Sequence, residues 1–164
     1  MAVNDIQVIK NGFGVQEFLV EDRTTTGATY TIKAGEPVKR YTNTTVILAT
    51  GDPEIATDLM LGIAVAESTE TASADGVVKV EMVGPGTILR GKATTAANID
   101  TAAELKLLLL DTVAFDLTTV YFTIDEDEGD DPNVHGLMIL DGDIDAGTLD
   151  VSVNAMVTPF GYYI

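Results

Sequence analysis

The chain has no cysteine, no tryptophan and a single histidine, and only nine of its 164 residues are lysine or arginine. Without cysteine it forms no disulfide and offers no thiolate to zinc or to an iron–sulfur cluster, and the redox compartment stays open. His135 stands alone, which removes multi-histidine metal clusters and leaves any histidine-based catalysis to one residue. Nine basic side chains face 26 acidic ones, for a formal net charge of −17. Such a surface repels phosphate backbones, because binding DNA or RNA takes cations that displace counterions. Nucleic acid is therefore not an expected partner. No apolar run approaches the roughly 20 residues of a membrane-spanning helix, so no membrane partner is expected either. The opening MAVNDIQVIKNGFG carries acid and amide residues where a secretory signal has a basic region and a long apolar one, so synthesis in a cytoplasm without an export tag is expected. Aromatic residues make up 6%, a thin supply for the stacking platform of a sugar-binding module, with Tyr30, Tyr41 and Tyr121 as the remaining candidates.

What is present is a core. Hydrophobic residues reach 46% and mean hydropathy is +0.22, whereas a disordered acidic chain joins high charge to low hydrophobicity. A packed interior under an acidic skin follows, in one domain spanning residues 1–164, a length at which roughly 70% of the unfolded surface is buried.

The clearest strand signal follows Asp75-Gly76, where Val78, Val80 and Met82 alternate with Lys79 and Glu81. This period of two puts apolar side chains on one face and charges on the other. Leu61-Gly62-Ile63-Ala64-Val65-Ala66 is a nearly unbroken apolar run, suited to a strand covered on both faces, and residues 67–75 read as a polar surface loop between the two. Upstream, Ile6, Val8 and Phe13 lie along one side of an extended stretch, either an N-terminal arm over about residues 1–14 or the first strand of the same domain. Phe18-Leu19-Val20 predicts a strand and residues 21–27 a turn. Tyr30 and Ile32, alternating with Thr29, Thr31 and Lys33, predict another strand, closed by a turn at Ala34-Gly35-Glu36-Pro37. Residues 38–41 and 45–50 are β-branched and extended. Gly51-Asp52-Pro53 breaks the chain before a single helical turn over 54–60.

Thr101-Ala102-Ala103-Glu104 has capping-box spacing and predicts a helix start. The leucine-dense Leu105 to Leu110 that follows is read as about two helical turns leading into a strand. Val120, Phe122 and Ile124 predict a strand running into the acidic residues 125–133. Residues 137–140 form the next strand, 141–147 a turn, and Leu149, Val151, Val153, Ala155 and Val157 a long alternating strand. The end, Phe160-Gly161-Tyr162-Tyr163-Ile164, is aromatic and apolar, which points to packing on the domain or on a neighbour. Short strands separated by turns, with one short α-helix, predict an all-β fold, a small β-barrel or β-sandwich.

Candidate chemistry is sparse. An EF-hand starting at Asp125 fails because Gly129 stands at a ligand position and Asp130 where glycine is required. One starting at Asp141 places Ala146 at the glycine position and Ser152 where a bidentate glutamate closes the shell. Gly12-Phe13-Gly14 and Gly84-Pro85-Gly86 lack the strand-to-helix context and lysine of a phosphate loop. No catalytic, cofactor-binding or metal-ligating residue is assigned, and the chain is not expected to be an enzyme.

Ile32-Lys33-Ala34-Gly35-Glu36-Pro37-Val38, Leu61-Gly62-Ile63-Ala64, Ala74-Asp75-Gly76-Val77-Val78-Lys79-Val80 and Gly86-Thr87-Ile88-Leu89-Arg90-Gly91-Lys92-Ala93, in this order, resemble the core of the head decoration, or capsid cement, proteins of tailed bacteriophages. The resemblance covers the middle third of the chain, and the C-terminal portion is longer than compact members of that group require. It implies a β-rich domain, often a homotrimer, that binds the outer face of an assembled head and stabilises contacts between major capsid subunits, with no catalytic residue and no cofactor. Ile6, Val8, Phe160, Tyr162 and Tyr163 are the expected capsid or subunit interface residues. The alternative is an extracellular or surface β-module that binds glycans or calcium.

Overall fold

Strand-forming and turn-forming residues alternate along almost the whole chain, and the fold follows that punctuation. The computed structural model describes residues 6–10, 13–28, 31–49, 60–118, 121–127 and 136–153. Within them the chain runs through β1 (Gln7–Lys10), β2 (Val15–Val20), a single turn of helix α1 (Arg23–Thr26), β3 (Pro37–Arg40), β4 (Thr45–Leu48), β5 (Met60–Ala64), β6 (Gly76–Met82) and β7 (Ile88–Lys92). A 3₁₀ turn (Ala96–Asn98) and the helix α2 (Ala102–Leu108) come next, then β8 (Thr112–Leu117), β9 (Phe122–Asp125), β10 (Leu137–Asp143) and β11 (Thr148–Val153). The protein is all-β, as expected.

Five strands close into a barrel in the order β2-β4-β3-β5-β6. The alternating strand β6 completes it, because it pairs antiparallel with β5 on one side and with β2 on the other. Val78, Val80 and Met82 are buried inside while Lys79 stays exposed, as a one-sided strand requires. Among the described barrel strands, β2 and β4 are the pair that runs parallel, through Leu19↔Thr45 and Val20↔Val46. Pro37 begins β3, a position that asks for no ladder donor.

The other six strands form a sheet in the order β1-β7-β11-β10-β8-β9. It curls until its β9 edge meets the chain just past β7, where Ala93 bridges Ile124 and Thr94 N–H donates to Ile124 O at 2.9 Å. Across β7 and β11, Arg90 forks onto Asp150 with bonds of 2.6 and 2.7 Å. The capping box forms as predicted: the Thr101 hydroxyl accepts from Glu104 N–H, and the Glu104 carboxylate accepts from Thr101 N–H. From α2, Leu105 and Leu108 pack against the apolar core.

Four departures from the sequence reading have local causes. Residues 31–33 are not a strand. Ile32 is buried as its pattern suggests, but its N–H donates to Ser68 Oγ (2.9 Å) and its carbonyl accepts from Ser68 N–H (2.9 Å), so one serine takes the place of a neighbouring strand. For the same reason residues 67–75 are not wholly surface, since Ser68 and Glu70 are buried. The turn expected over 141–147 is shorter, because β10 continues to Asp143 opposite Thr148. The expected turn over 21–27 contains α1, with Asp22 as its cap. The helical turn expected over 54–60 and the end of the last strand lie outside the described residues, apart from Met60, which opens β5.

The stretch at residues 6–10 is the first strand of this domain. β1 pairs with β7 through Gln7↔Arg90 and Val8↔Leu89, and Ile6 is 1% exposed. Its side chain occupies the space above Gly91, where a Cβ would come within 2.5 Å of Ile6 Cδ1 and 3.1 Å of Ile124 Cδ1. A methyl group there overfills the core, so Gly91→Ala is expected to cost about 1–3 kcal/mol. Chemical denaturation measures this, and an unchanged midpoint would mean that Ile6 is not held against the β7 backbone.

Candidate interaction surfaces

Several of the acidic residues hold turns of the fold. Asp125 Oδ1 accepts from Asp127 N–H and Asp143 Oδ1 from Ala146 N–H, each closing a turn. Glu21, Asp22 and Asp75 bring carboxylate oxygens within 4.8 Å of one another. Asp22 already accepts from Thr25 N–H (2.9 Å) and from its hydroxyl (2.8 Å), bonds that hold its carboxyl below the ordinary value. Asp75 Oδ1 accepts from Asp22 N–H. Calcium asks for six to eight oxygens, more than these three carboxylates supply, and Asp22 and Asp75 already accept at the start of α1. His135, Tyr30 and residues 128–134 lie outside the described residues. Tyr41 is exposed just after β3 and Tyr121 is half-buried before β9, on different sheets. Gly84-Pro85-Gly86 is a tight turn in which Gly84 N–H donates to Thr87 Oγ1 and Gly86 adopts φ 86°.

One acid escaped the sequence reading. Glu126, in a run that reads as solvated, is buried. Its Oε2 accepts from Thr94 N–H, and its Oε1 from Thr95 N–H and from Asn98 Nδ2, at 2.9–3.0 Å. It therefore caps the segment that leads from β7 into the 3₁₀ turn. Burial pushes its carboxyl above the ordinary glutamate value, and the three donors only partly oppose that.

Among the described residues, two apolar features open to solvent bear on binding. The first is a cleft of about 230 Å³ between β1 and the barrel, walled by Val8, Ala34, Ala64, Val65 and Glu81. β1 is the edge strand of its sheet. On its outer side Ile6 N–H donates to Gly35 O (3.2 Å), and beyond that residue the strand borders the cleft. The second is a leucine patch on α2 and β10, with Leu107, Leu109, Leu110 and Leu140 exposed.

Of the residues expected at an interface, Val8 and Ile6 both line the cleft, Val8 half-buried and Ile6 only 1% exposed, with its side chain packed toward Gly91 and Ile124. Phe160, Tyr162 and Tyr163 lie outside the described residues. The leucine patch was not foreseen, since an apolar run on a helix reads as core. Comparison with family models, curated proteins and solved structures finds no match to this chain.

Removing the Glu126 carboxylate with Glu126→Ala leaves Thr95 N–H without its acceptor and Thr94 N–H with Ile124 O alone, an expected loss of about 1–3 kcal/mol in chemical denaturation. The pH dependence has a definite sign. A carboxyl whose value is raised by folding binds its proton more tightly in the fold. Its contribution is thus fully present below the ordinary glutamate value and is lost as pH rises through the raised one. Thermal unfolding from acid to neutral pH should show wild type losing ground against Glu126→Gln over that interval. A constant difference between the two would contradict the assignment.

Proposed function

We propose that this chain is a structural decoration protein that coats the outer surface of a phage head and fastens neighbouring major capsid subunits. The observation that carries the reading is the presence of two separate apolar surfaces on one acid-coated β scaffold: the cleft beside β1 and the leucine patch on α2 and β10. In the sheet order β1-β7-β11-β10 they are three strand spacings apart, roughly 14 Å along the sheet.

A fastener needs at least two contacts, because binding at one raises the effective concentration at the other and weak contacts then add up. In this reading the free edge of β1 accepts an extended capsid segment, with main-chain hydrogen bonds supplying affinity and the cleft taking alternate side chains. The net charge of −17 keeps the protein off the packaged nucleic acid and limits association of copies to shaped apolar contacts. The segments that resemble cement proteins fit the same picture. Three of them contribute to β3, β5 and β6, which are adjacent in the barrel, and the fourth forms β7. Phe160, Tyr162 and Tyr163 belong to the subunit contacts of the homotrimer that the resemblance implies. The protein acts by holding other proteins together, with no substrate and no cofactor.

Sedimenting the purified protein with expanded, undecorated heads assembled from the major capsid protein of the same genome tests this. Saturable, stoichiometric uptake is expected, and Val65→Glu, which places a charge in the cleft, should weaken it by about tenfold. Heads that sediment without the protein would overturn the proposal, and a response to calcium or to a glycan array would favour the surface-module alternative.

A further inference from the structure

Leu107 is 80% exposed and Leu110 67% exposed, a large departure for apolar side chains on a strongly acidic surface. Isolated exposed leucines need no explanation. Leu107 stands on the outer face of α2, and two irregularities of the backbone set Leu110 and Leu140 out beside it. Leu110 has φ 76°, and every other described residue with positive φ is a glycine: Gly14, Gly27, Gly35, Gly86, Gly136 and Gly147. The chain uses the unstrained residue wherever its backbone turns left-handed, except here. A side chain at such a position crowds its own carbonyl, and this one recovers little by packing.

The second irregularity is the bulge in β10. Pairing passes from Ile139↔Val151 to Asp141↔Asp150, and Leu140 is left between them without a partner and exposed. The two irregularities are tied to one residue. Leu110 N–H donates to Ile139 O (2.9 Å), and Ile139 N–H donates to Asp111 O (3.0 Å). Leu110 and Leu140 are therefore presented side by side, with Leu107 from the last turn of α2. On the other side of α2, Leu105 and Leu108 anchor the helix to the core.

We infer that this patch docks a different protein, through a surface whose apolar centre is ringed by lysine and arginine. Charge chooses between occupants. Asp111, Asp141 and Asp143 flank the leucines along the chain, against Lys106 on α2 and the Arg90 guanidinium on β7, which is already engaged by Asp150 and shared with Asp143 and Asp141, so acid stays in excess around the patch. A second copy would bring acid to acid with −17 on each chain, whereas a basic rim gains at every contact and fixes the register. The inference rests on the decoration reading for the identity of that partner, a capsid subunit, and adds the chemistry of its surface.

Leu110→Gly separates docking from folding, because glycine relieves the left-handed strain while deleting the exposed side chain. Wild type, Leu110→Gly and Leu107→Gln are compared by thermal unfolding, by sedimentation with undecorated heads, by analytical ultracentrifugation alone, and by titration with an amphipathic leucine–lysine peptide at low and high salt. The expected result is that Leu110→Gly unfolds at or above the wild-type temperature. Both variants bind heads and peptide about tenfold more weakly, and salt weakens the wild-type interaction with each. If wild type binds heads and the variants bind equally well, the inference is overturned while the decoration reading stands. If wild type does not bind heads, the decoration reading falls and the peptide decides the patch: a loss of about tenfold in both variants supports it, and equal binding overturns it. Self-association of wild type that the substitutions abolish would also overturn it, since the occupant would then be a second copy.

Discussion

Ile6 is the joint of the molecule. Its side chain fills the space that Gly91 leaves on β7, against Ile124 of β9, and its amide reaches across to Gly35 O in the turn before β3. One residue thus ties the curled sheet to the barrel, by apolar contact on one side and a backbone hydrogen bond on the other. A side chain used in this way has no surface left for a partner. The strand it begins is consequently fixed as the sheet's edge, and one wall of the cleft is as rigid as the core behind it. Preorganisation of that kind favours binding an extended segment, because the edge has no ordering entropy left to lose.

Legibility in the sequence followed the distance over which each feature is determined. β6 and the capping box at Thr101 rest on neighbours in the chain, and both read correctly. β7 did not stand out, because Arg90-Gly91-Lys92 looks like the end of a strand, and the glycine is there for Ile6, far away in sequence. Ile32 shows the intermediate case: its alternation correctly marked a buried side chain, but the strand partner it implied is a single serine. Glu126 was hidden by its acidic neighbours, since composition cannot say which member of a charged run faces Thr94 and Thr95. The leucine run was hidden for the opposite reason. Apolar residues on a helix imply core, whereas here α2 turns only Leu105 and Leu108 inward, Leu107 lies on its outer face, and the left-handed turn at Leu110 sends the end of the run outward.

These features form one chain of causes. The Glu126 carboxylate fixes residues 94–98, and that segment leads within a few residues to the Thr101 cap that starts α2. The cap sets where the helix begins, and Leu105 and Leu108 set which face turns inward, so the position of Leu107 follows from a buried carboxylate on β9's turn. An unpaired buried acceptor of this kind would be costly. With three donors it becomes a locating pin, and the price of burying it appears only in the raised affinity for a proton.

The acidic coat and the apolar patches make sense only together. Exposed leucines on a neutral protein invite self-association, and a strongly acidic surface without them has little to hold a partner once salt screens it. Combined, the long-range repulsion between copies acts at distances where apolar contact has no effect, while at contact the leucines dominate any partner able to neutralise Asp111 and Asp141. Selectivity then comes from the rim and affinity from the centre. On the proposed reading, that division accounts for a left-handed leucine in a fold that otherwise places glycine at every such turn among its described residues: the side chain would contribute to a complex what it withholds from the monomer.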